Sequence, residues 1–484
     1  MSRAPAAARR GRRGAARPAR TGPWLAREIE LDVGPVAPGG HCVARHEGRV
    51  VFVRHALPGE RVVALVTEDR GGGFCRADAV RVLTASADRV DPPCPHAGPG
   101  RCGGCDWQHA SADAQRALKA AVVREQLTRL ARLPDVPVTV EALPGGLLGW
   151  RTRVRYAIDP AGRTALRRHR SHELEPVRHC PLGTDAVTAA TGDRDWPPGA
   201  EIEVVGSGPT VVLAATADED PRAPAGGSVL DGPPRVREQA AGRDWELAAT
   251  GFWQVHPAAA DVLAGCVLDF LAPAPGETAL DLYAGAGLFA GLLAAAVGPS
   301  GRVVAVESDP QAAADARANL DLPASPAPGD PAAPDGEGAA VLGPAAPATG
   351  DEGGLALPPA GPASVSPGTA GGAGGVGANL DLPAASAAAE VRAVRVSAGL
   401  LGGLGIAPDI AVLDPPRAGA GPEVLTALLA LRPRAVAYVS CDPAALARDL
   451  RAAVDAGWRL TRLRAFDCFP MTQHVETVAL LEPA

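Results

Sequence analysis

The feature that most restricts this 484-residue chain is the strand–helix alternation that begins near Glu277. TALDLY reads as a strand, LFAGLLAAAV as a helix, RVVAVES as a strand and QAAADARANL as a helix. Further on come VRAVRV, DIAVLDPP, a helix around 422–431, AVAYVSC and the helix AALARDLRAAVDAG. WRLTRLRAF and HVETVALLE close the chain as a pair of strands. Short apolar runs alternating with helical runs specify a mostly parallel sheet with helices on both faces. Such an open sheet binds its ligands at the carboxyl ends of its strands. The expected fold is α/β, with a Rossmann-like C-terminal domain.

The rest of the chain divides by composition. Residues 1–24 form an Arg-rich, acid-free arm, expected to be disordered. Residues 25–88 alternate as short strands (REIELDV, CVARHEGRVVFVRH, ERVVALVTEDR, AVRVL) with Pro38-Gly39-Gly40 and Pro58-Gly59 as turns, which points to a small β-barrel. Residues 89–250 contain a cysteine cluster, a helix from Ser111 to Leu133 and short strands of unassigned order, a small α+β central domain. Residues 251–484 carry the alternating pattern, interrupted at 322–377 by a Pro-, Ala- and Gly-rich insertion that cannot bury a core. A near-repeat flanks that insertion: Ala318-Asn319-Leu320-Asp321-Leu322-Pro323-Ala324 returns at Ala378–Ala384.

A net charge of −7 argues against a uniformly basic nucleic-acid binder, yet the arm and residues 150–180 are locally basic, and a phosphate-binding face needs only a patch. No apolar run approaches the roughly 18 residues of a membrane span. Nine cysteines without a secretory signal point to reduced thiols, a metal site or a catalytic thiol. The expectation is a cytoplasmic protein, monomeric and away from membranes.

The chemistry sits at strand ends. Asp281-Leu282-Tyr283-Ala284-Gly285-Ala286-Gly287 follows a strand and opens a helix, so its glycines let backbone approach a ligand. Glu307 ends the next strand about twenty residues on, where a carboxylate can hold ribose hydroxyls. The pair fits either a nicotinamide or S-adenosylmethionine, the latter better. Asp414-Pro415-Pro416-Arg417 ends another strand, and Asp414 can hydrogen-bond a pyrimidine edge. Cys441 closes the strand after it. A lone cysteine is usually an apolar filler, as for Cys266 or Cys468, but this one stands where the crevice opens. Thiolate addition at C6 of uracil makes C5 nucleophilic, and Glu476 is the candidate base for removing the C5 proton. Cys94, Cys102 and Cys105, with Cys180 far along the chain, can complete a metal tetrad. Zinc and a [4Fe–4S] cluster both fit the spacing.

Together these residues resemble the bacterial RNA 5-methyluridine methyltransferase family, in its iron–sulfur form with an N-terminal TRAM domain. The resemblance runs over about residues 25–320 and 385–483, through Ala56-Leu57-Pro58-Gly59-Glu60, the four cysteines, Gly251-Phe252-Trp253-Gln254-Val255, the glycine motif, DPPRAG, VSCDPAALARD and HVET. It implies an OB-like TRAM barrel ahead of a class I methyltransferase domain. Cys441 would be the nucleophile and Glu476 the base. Gln254, Tyr283, Gly285, Gly287, Glu307 and Asp414 would line the S-adenosylmethionine and base pocket. Cys94, Cys102, Cys105 and Cys180 would hold a [4Fe–4S] cluster, with zinc as the alternative. The partner implied is structured RNA, 23S ribosomal RNA ahead of transfer RNA, with the barrel and the basic central segment gripping phosphates and a flipped uridine read in the pocket. The chain departs from the family pattern at Leu288, Ser397, Ala398, Asp442 and His256, and by two extra residues between Cys94 and Cys102. These departures motivate a competing expectation, a non-catalytic TRAM-containing RNA-binding protein with a decayed methyltransferase fold.

Overall fold

A computed structural model describes residues 22–191, 196–208, 210–215, 228–321 and 387–484. The basic arm up to residue 21 and the insertion expected over 322–377 lie outside the described residues.

The first sheet contains β1 (Glu28–Asp32), β2 (Val36–Ala37), β3 (His41–His46), β4 (Arg49–Arg54), β5 (Arg61–Asp69) and β6 (Phe74–Thr84), ordered β1-β5-β6-β4-β3-β2. In β1, Ile29 and Leu31 are buried while Glu28, Glu30 and Asp32 face water, the period-two pattern of a strand with one covered face. Three register shifts between β5 and β6 bend the sheet, and β1 comes back against β3. Trp24 corrects the arm boundary. Its ring is buried in the barrel core, its backbone N–H donates to Asp69 Oδ2 at 3.0 Å, and the Arg49 guanidinium lies 4.3 Å from the ring centroid.

In the central region α1 (Ala112–Gln126) starts at a Ser111 cap and runs into a single π turn, Leu127–Ala131, that ends at left-handed Arg132. After β7 (Val140–Ala142), the strands whose order the sequence left unassigned are β8 (Arg153–Ile158), β9 (Thr164–Arg167), β10 (Leu174–Pro176), β11 (Glu201–Ser207), β12 (Thr210–Ala215) and β13 (Val229–Asp231), with α2 (Asp185–Ala190) between β10 and β11. They form one antiparallel sheet, β10-β9-β8-β11-β12-β13. A hairpin of β14 (Arg235–Ala240) and β15 (Arg243–Ala248) follows.

The last domain has α3 (Ala259–Leu271), β16 (Thr278–Leu282), α4 (Leu288–Val297), β17 (Arg302–Glu307), α5 (Pro310–Asn319), β18 (Ala388–Ala393), α6 (Ala398–Gly402), β19 (Ile410–Leu413), α7 (Pro422–Ala430), β20 (Ala435–Ser440), α8 (Pro443–Asp455), β21 (Trp458–Asp467) and β22 (Glu476–Pro483). Its sheet runs β18-β17-β16-β19-β20-β22-β21-β7, parallel from β18 to β20, with β22 inserted antiparallel beside β20. The terminal pair is not quite the edge that the sequence suggested, since β7 of the central region adds a further parallel strand beside β21. Ile410–Leu413 and Ala435–Ser440 are buried throughout, as strands covered on both faces must be. One face packs on α3 and α4, the other on α1, α7 and α8. Each such Leu, Ile or Val contributes about 1.5–3 kcal/mol by leaving water, so this sheet is the rigid frame that carries the strand-end residues.

Candidate active site at the sheet's carboxyl edge

Register alone lines up the expected residues. Leu282 of β16 pairs with Val306 of β17 on one side and Leu413 of β19 on the other, so Glu307, Tyr283 and Asp414 emerge from adjacent strand ends. Leu413 pairs with Tyr438 of β20, and Ser440 pairs with Thr477 of β22, which sets Cys441 opposite Glu476. Thr477 Oγ1 locks that pairing by donating to Ser440 O at 2.8 Å. With strands about 4.8 Å apart, the row reads Glu307, Tyr283, Asp414, Cys441, Glu476.

The first half of the row is a glycine loop. Tyr283 is left-handed (φ 65°), and the N–H groups of Tyr283 and Ala284 both donate to Val306 O. Gly287 caps α4 at φ 91°, where a Cβ would meet Ala316 Cα at 3.2 Å. At Gly285 a Cβ would meet nothing within 4 Å, so the loop's outer side is open to a ligand. Asp281, a residue the sequence reading passed over, is wholly buried beneath the loop. Its Oδ2 accepts from Ala290 N at 2.8 Å, and its Oδ1 has no partner among the described residues. Burial, then the charges of Asp414 and Glu307, push its pKa up to about 8. Glu307 does more than await a ribose. One oxygen accepts from Gly285 N at 2.9 Å and the other from Ser308 N and Asp309 N, joining the glycine loop to the start of α5. Asn319, also unforeseen, donates to Ala286 O at 2.9 Å and ties the loop to β15 through Glu246. An open glycine cradle over an orphaned carboxylate oxygen fits an S-adenosylmethionine site. Gln254 is half-buried beside buried Trp253, and its side chain has no hydrogen-bonding partner among the described residues.

The second half concentrates titratable groups. Burial, then Glu476 and Asp414, push the Cys441 thiol up to about 12, while Arg417 pulls the other way. Burial pushes Asp414 up to about 7. Glu476 is driven well above the ordinary carboxylate range by burial and by Asp414. A carboxyl that burial makes more basic than usual is suited to taking a proton from carbon. The Arg417 loop is pinned from β20 and α8: Ala420 N donates to Tyr438 Oη at 3.0 Å, and Gly421 N to Asp449 Oδ2 at 3.1 Å. Asp442, a departure from the family pattern, caps α8 by accepting from Ala445 N at 2.7 Å, a task at which Asp equals Asn. A line of rings runs from the loop that precedes Glu476. Phe469 meets His474 edge-on at 5.9 Å and Trp150 at 6.3 Å, and Trp150 stacks on His256 at 5.8 Å.

The four cysteines lie elsewhere, where the central sheet meets the barrel. All are free thiols, and the thiols of Cys102 and Cys105 are pushed up to about 11 and 12, by burial first and then in part by neighbouring cysteines, Cys180 and Cys94 in both cases. A cavity of about 190 Å³ opens beside Cys105, next to His109 and Arg89. Cys102 and Cys105 thus feel the charge of Cys94 and Cys180, and four thiols are a donor set that suits a thiolate-bound group. Among the described residues, though, no three His, Cys, Asp or Glu side chains stand as a single bound ion would hold them. The basic central segment is less free than its composition implies. Arg153 is buried and donates to Ala249 O and Gly251 O, while Arg101 and Arg168 converge on Glu175.

Comparison with known proteins bears on both regions. Residues 26–80 match the TRAM domain, residues 405–484 match the family described as tRNA (Uracil-5-)-methyltransferase, and residues 247–326 match Protein-L-isoaspartate(D-aspartate) O-methyltransferase. An uncharacterised RNA methyltransferase of Streptomyces avermitilis is 42% identical, the alignment covering 95% of this chain and 99% of the relative. One from Streptomyces coelicolor is 43% identical, with 94% and 93% covered. The crystal structure of the Pyrococcus abyssi tRNA (uracil-54, C5)-methyltransferase in complex with S-adenosyl-L-homocysteine superposes with a TM-score of 0.60 at 20% identity, covering 93% of this chain and 99% of that one, and so shares its fold.

Proposed function

This chain belongs to the RNA methyltransferase family, in a form with an N-terminal TRAM domain, and from that premise we propose that it methylates C5 of uridine in structured RNA through a covalent Cys441 adduct. The observation that carries the reading is the β20–β22 register, which sets a thiol opposite a carboxyl of raised pKa with Asp414 one strand away.

The Gly285–Gly287 loop with Tyr283, Glu307 and Gln254 would hold S-adenosylmethionine, which would supply an electrophilic methyl for C5. The chain's own residues do the rest. Asp414 faces the polar edge of the uracil and orients it. The Cys441 thiol, partly open to water at the strand end, loses its proton to solvent as its sulfur bonds to C6, and the electron pair of the 5,6 double bond passes to C5. Glu476 then takes the C5 proton, the C6–S bond breaks, and the double bond re-forms with the thiolate as leaving group. The half-buried rings of His474 and Phe469, in the loop that leads to Glu476, suit a base taken out of its stack. Cys94, Cys102, Cys105 and Cys180 would hold a [4Fe–4S] cluster, or zinc in its place, as a structural tie between barrel and central sheet. The setting for this chemistry would be the cytoplasm, with the protein acting as a monomer.

For the substrate, 23S ribosomal RNA is the first choice and transfer RNA the second, which the name of the archaeal structural match favours. The test is transfer from labelled S-adenosylmethionine to unmodified ribosomal and transfer RNA, with digestion to nucleosides. Label in 5-methyluridine that is lost in Cys441→Ala supports the reading. Wild-type protein of full metal content that labels neither RNA would replace it with the non-catalytic RNA-binding alternative.

A further inference from the structure

The approach to Glu476 is a loop whose shape is dictated from outside. Residues 468–475 join β21 to β22, and within them Cys468, Met471, Thr472 and Val475 are buried. Met471 is left-handed at φ 67°, a conformation that a side chain of its kind holds only where its surroundings determine it. The surroundings are the segment that follows Cys105. Met471 O accepts from both Asp106 N and Trp107 N at 3.0 Å, and the Asp106 carboxylate accepts from Gln473 N at 3.0 Å. From α1, Gln115 Oε1 accepts from Met471 N at 2.7 Å, and Lys119 donates to Asp467 and to Phe469 O. The barrel closes the bracket. Gly39 N donates to Gln473 Oε1 at 3.3 Å, and Arg54 pairs with Asp106 Oδ1 at 3.5 Å. Gly40, at φ 75°, packs so closely on Asp106 that a Cβ there would lie 2.8 Å from its carboxyl carbon.

We propose that Asp106 is a positioning residue for the catalytic base, and that the cysteine loop sets Glu476 through the Asp106–Met471–Gln473 contacts. The inference rests on the reading of Glu476 as the base. Cys441 directly follows β20 and lies outside this loop, so the two halves of the reaction separate. Weakening Asp106 leaves the sulfur free to add to C6 but slows removal of the C5 proton, and hence release of the thiolate. The methylated uridine then stays bonded to the protein.

The experiment compares wild type, Asp106→Ala and Asp106→Asn, each as full-length protein with the same metal content by elemental analysis. A 5-fluorouridine RNA, which only an active thiolate traps, is the control. The readouts are steady-state methylation and the RNA–protein adduct that survives denaturing gels with ordinary uridine RNA. Expected for Asp106→Ala is a tenfold or greater fall in kcat, little change in KM for S-adenosylmethionine, and an adduct on unmodified RNA that wild type does not accumulate. Asp106→Asn, which keeps an acceptor for Gln473 N, recovers most of the lost turnover. Normal turnover without adduct in both variants overturns the inference while the function stands. A lower kcat without adduct in a variant that still traps 5-fluorouridine also overturns it. Failure of wild type to trap 5-fluorouridine RNA overturns the underlying reading of function instead.

Discussion

The carboxyl edge of the large sheet and the cysteine junction under the barrel both gather residues from distant parts of the chain, but by different means. At the sheet edge, each functional side chain is the residue at or just beyond a strand end, and backbone pairing in fixed register places it: Leu282 with Leu413, Leu413 with Tyr438, Ser440 with Thr477. At the junction, Cys94, Cys102 and Cys105 come from one loop and Cys180 from a turn after β10, and only tertiary packing and side-chain ties bring them together. A site built on strand ends is held by the core of the domain, whereas one built on loops needs something to clasp it. The lesson is that the first kind tolerates change around it and the second transmits change outward, here through Asp106 to the loop before Glu476.

Substitutions can break or sharpen that contrast. Cys441→Ala has the largest expected effect, a loss of turnover on the order of 10⁴-fold or more, with the thermal midpoint and metal content unchanged because the residue is half-exposed at a strand end. A large stability loss in this variant would erase the distinction between the two regions. Next comes Lys119→Met. Lys119, the chain's one lysine, is fully buried against Asp467. Removing it strands a buried carboxylate, at a cost of about 3–5 kcal/mol, measurable as a lowered denaturation midpoint. Gly287→Ala is smaller. Forcing a Cβ into a left-handed position against Ala316 costs about 1–2 kcal/mol, read as roughly tenfold weaker S-adenosylmethionine binding by calorimetry, with RNA binding intact.

A further effect is on pH dependence. Burial raises the Asp414 carboxyl from its ordinary 3.8 to about 7, so the folded protein holds this proton more tightly than the unfolded chain. Between those values the unfolded chain has released the proton and the folded protein keeps it, so rising pH costs stability across this window, and the slope ends above about 7. Asp414→Asn removes that contribution. Thermal midpoints of the two proteins should therefore converge at the acid end and separate in favour of the variant towards neutral pH.

The contrast also explains what was legible in the sequence. The glycine motif, Asp414, Cys441 and Glu476 could be read because strand periodicity and a turn signal say where a strand ends, and an open parallel sheet says what its ends do. The order of the strands in 150–250 could not, because short antiparallel strands pair by tertiary choice. Trp24 was assigned to the arm because its burial depends on Asp69 and Arg49, far along the barrel. Asp281 lay inside the quoted motif, yet its burial and unpartnered oxygen show only in the folded loop. Asn319 and Asp106 have no local signature at all, since each acts through partners from other segments. Over residues 150–180, composition gave no sign that Arg153 is a buried strut or that Arg168 answers Glu175.

The central claim is that Cys441 bonds to the target uridine and Glu476 releases it. The most direct measurement uses Glu476→Gln with unmodified RNA and labelled S-adenosylmethionine, followed by denaturing electrophoresis and peptide mapping of the bound label. The account predicts a stable adduct in which a methylated uridine is attached to the peptide carrying Cys441. Free 5-methyluridine at the wild-type rate, or a label mapped to Cys266 or Cys468, would contradict it.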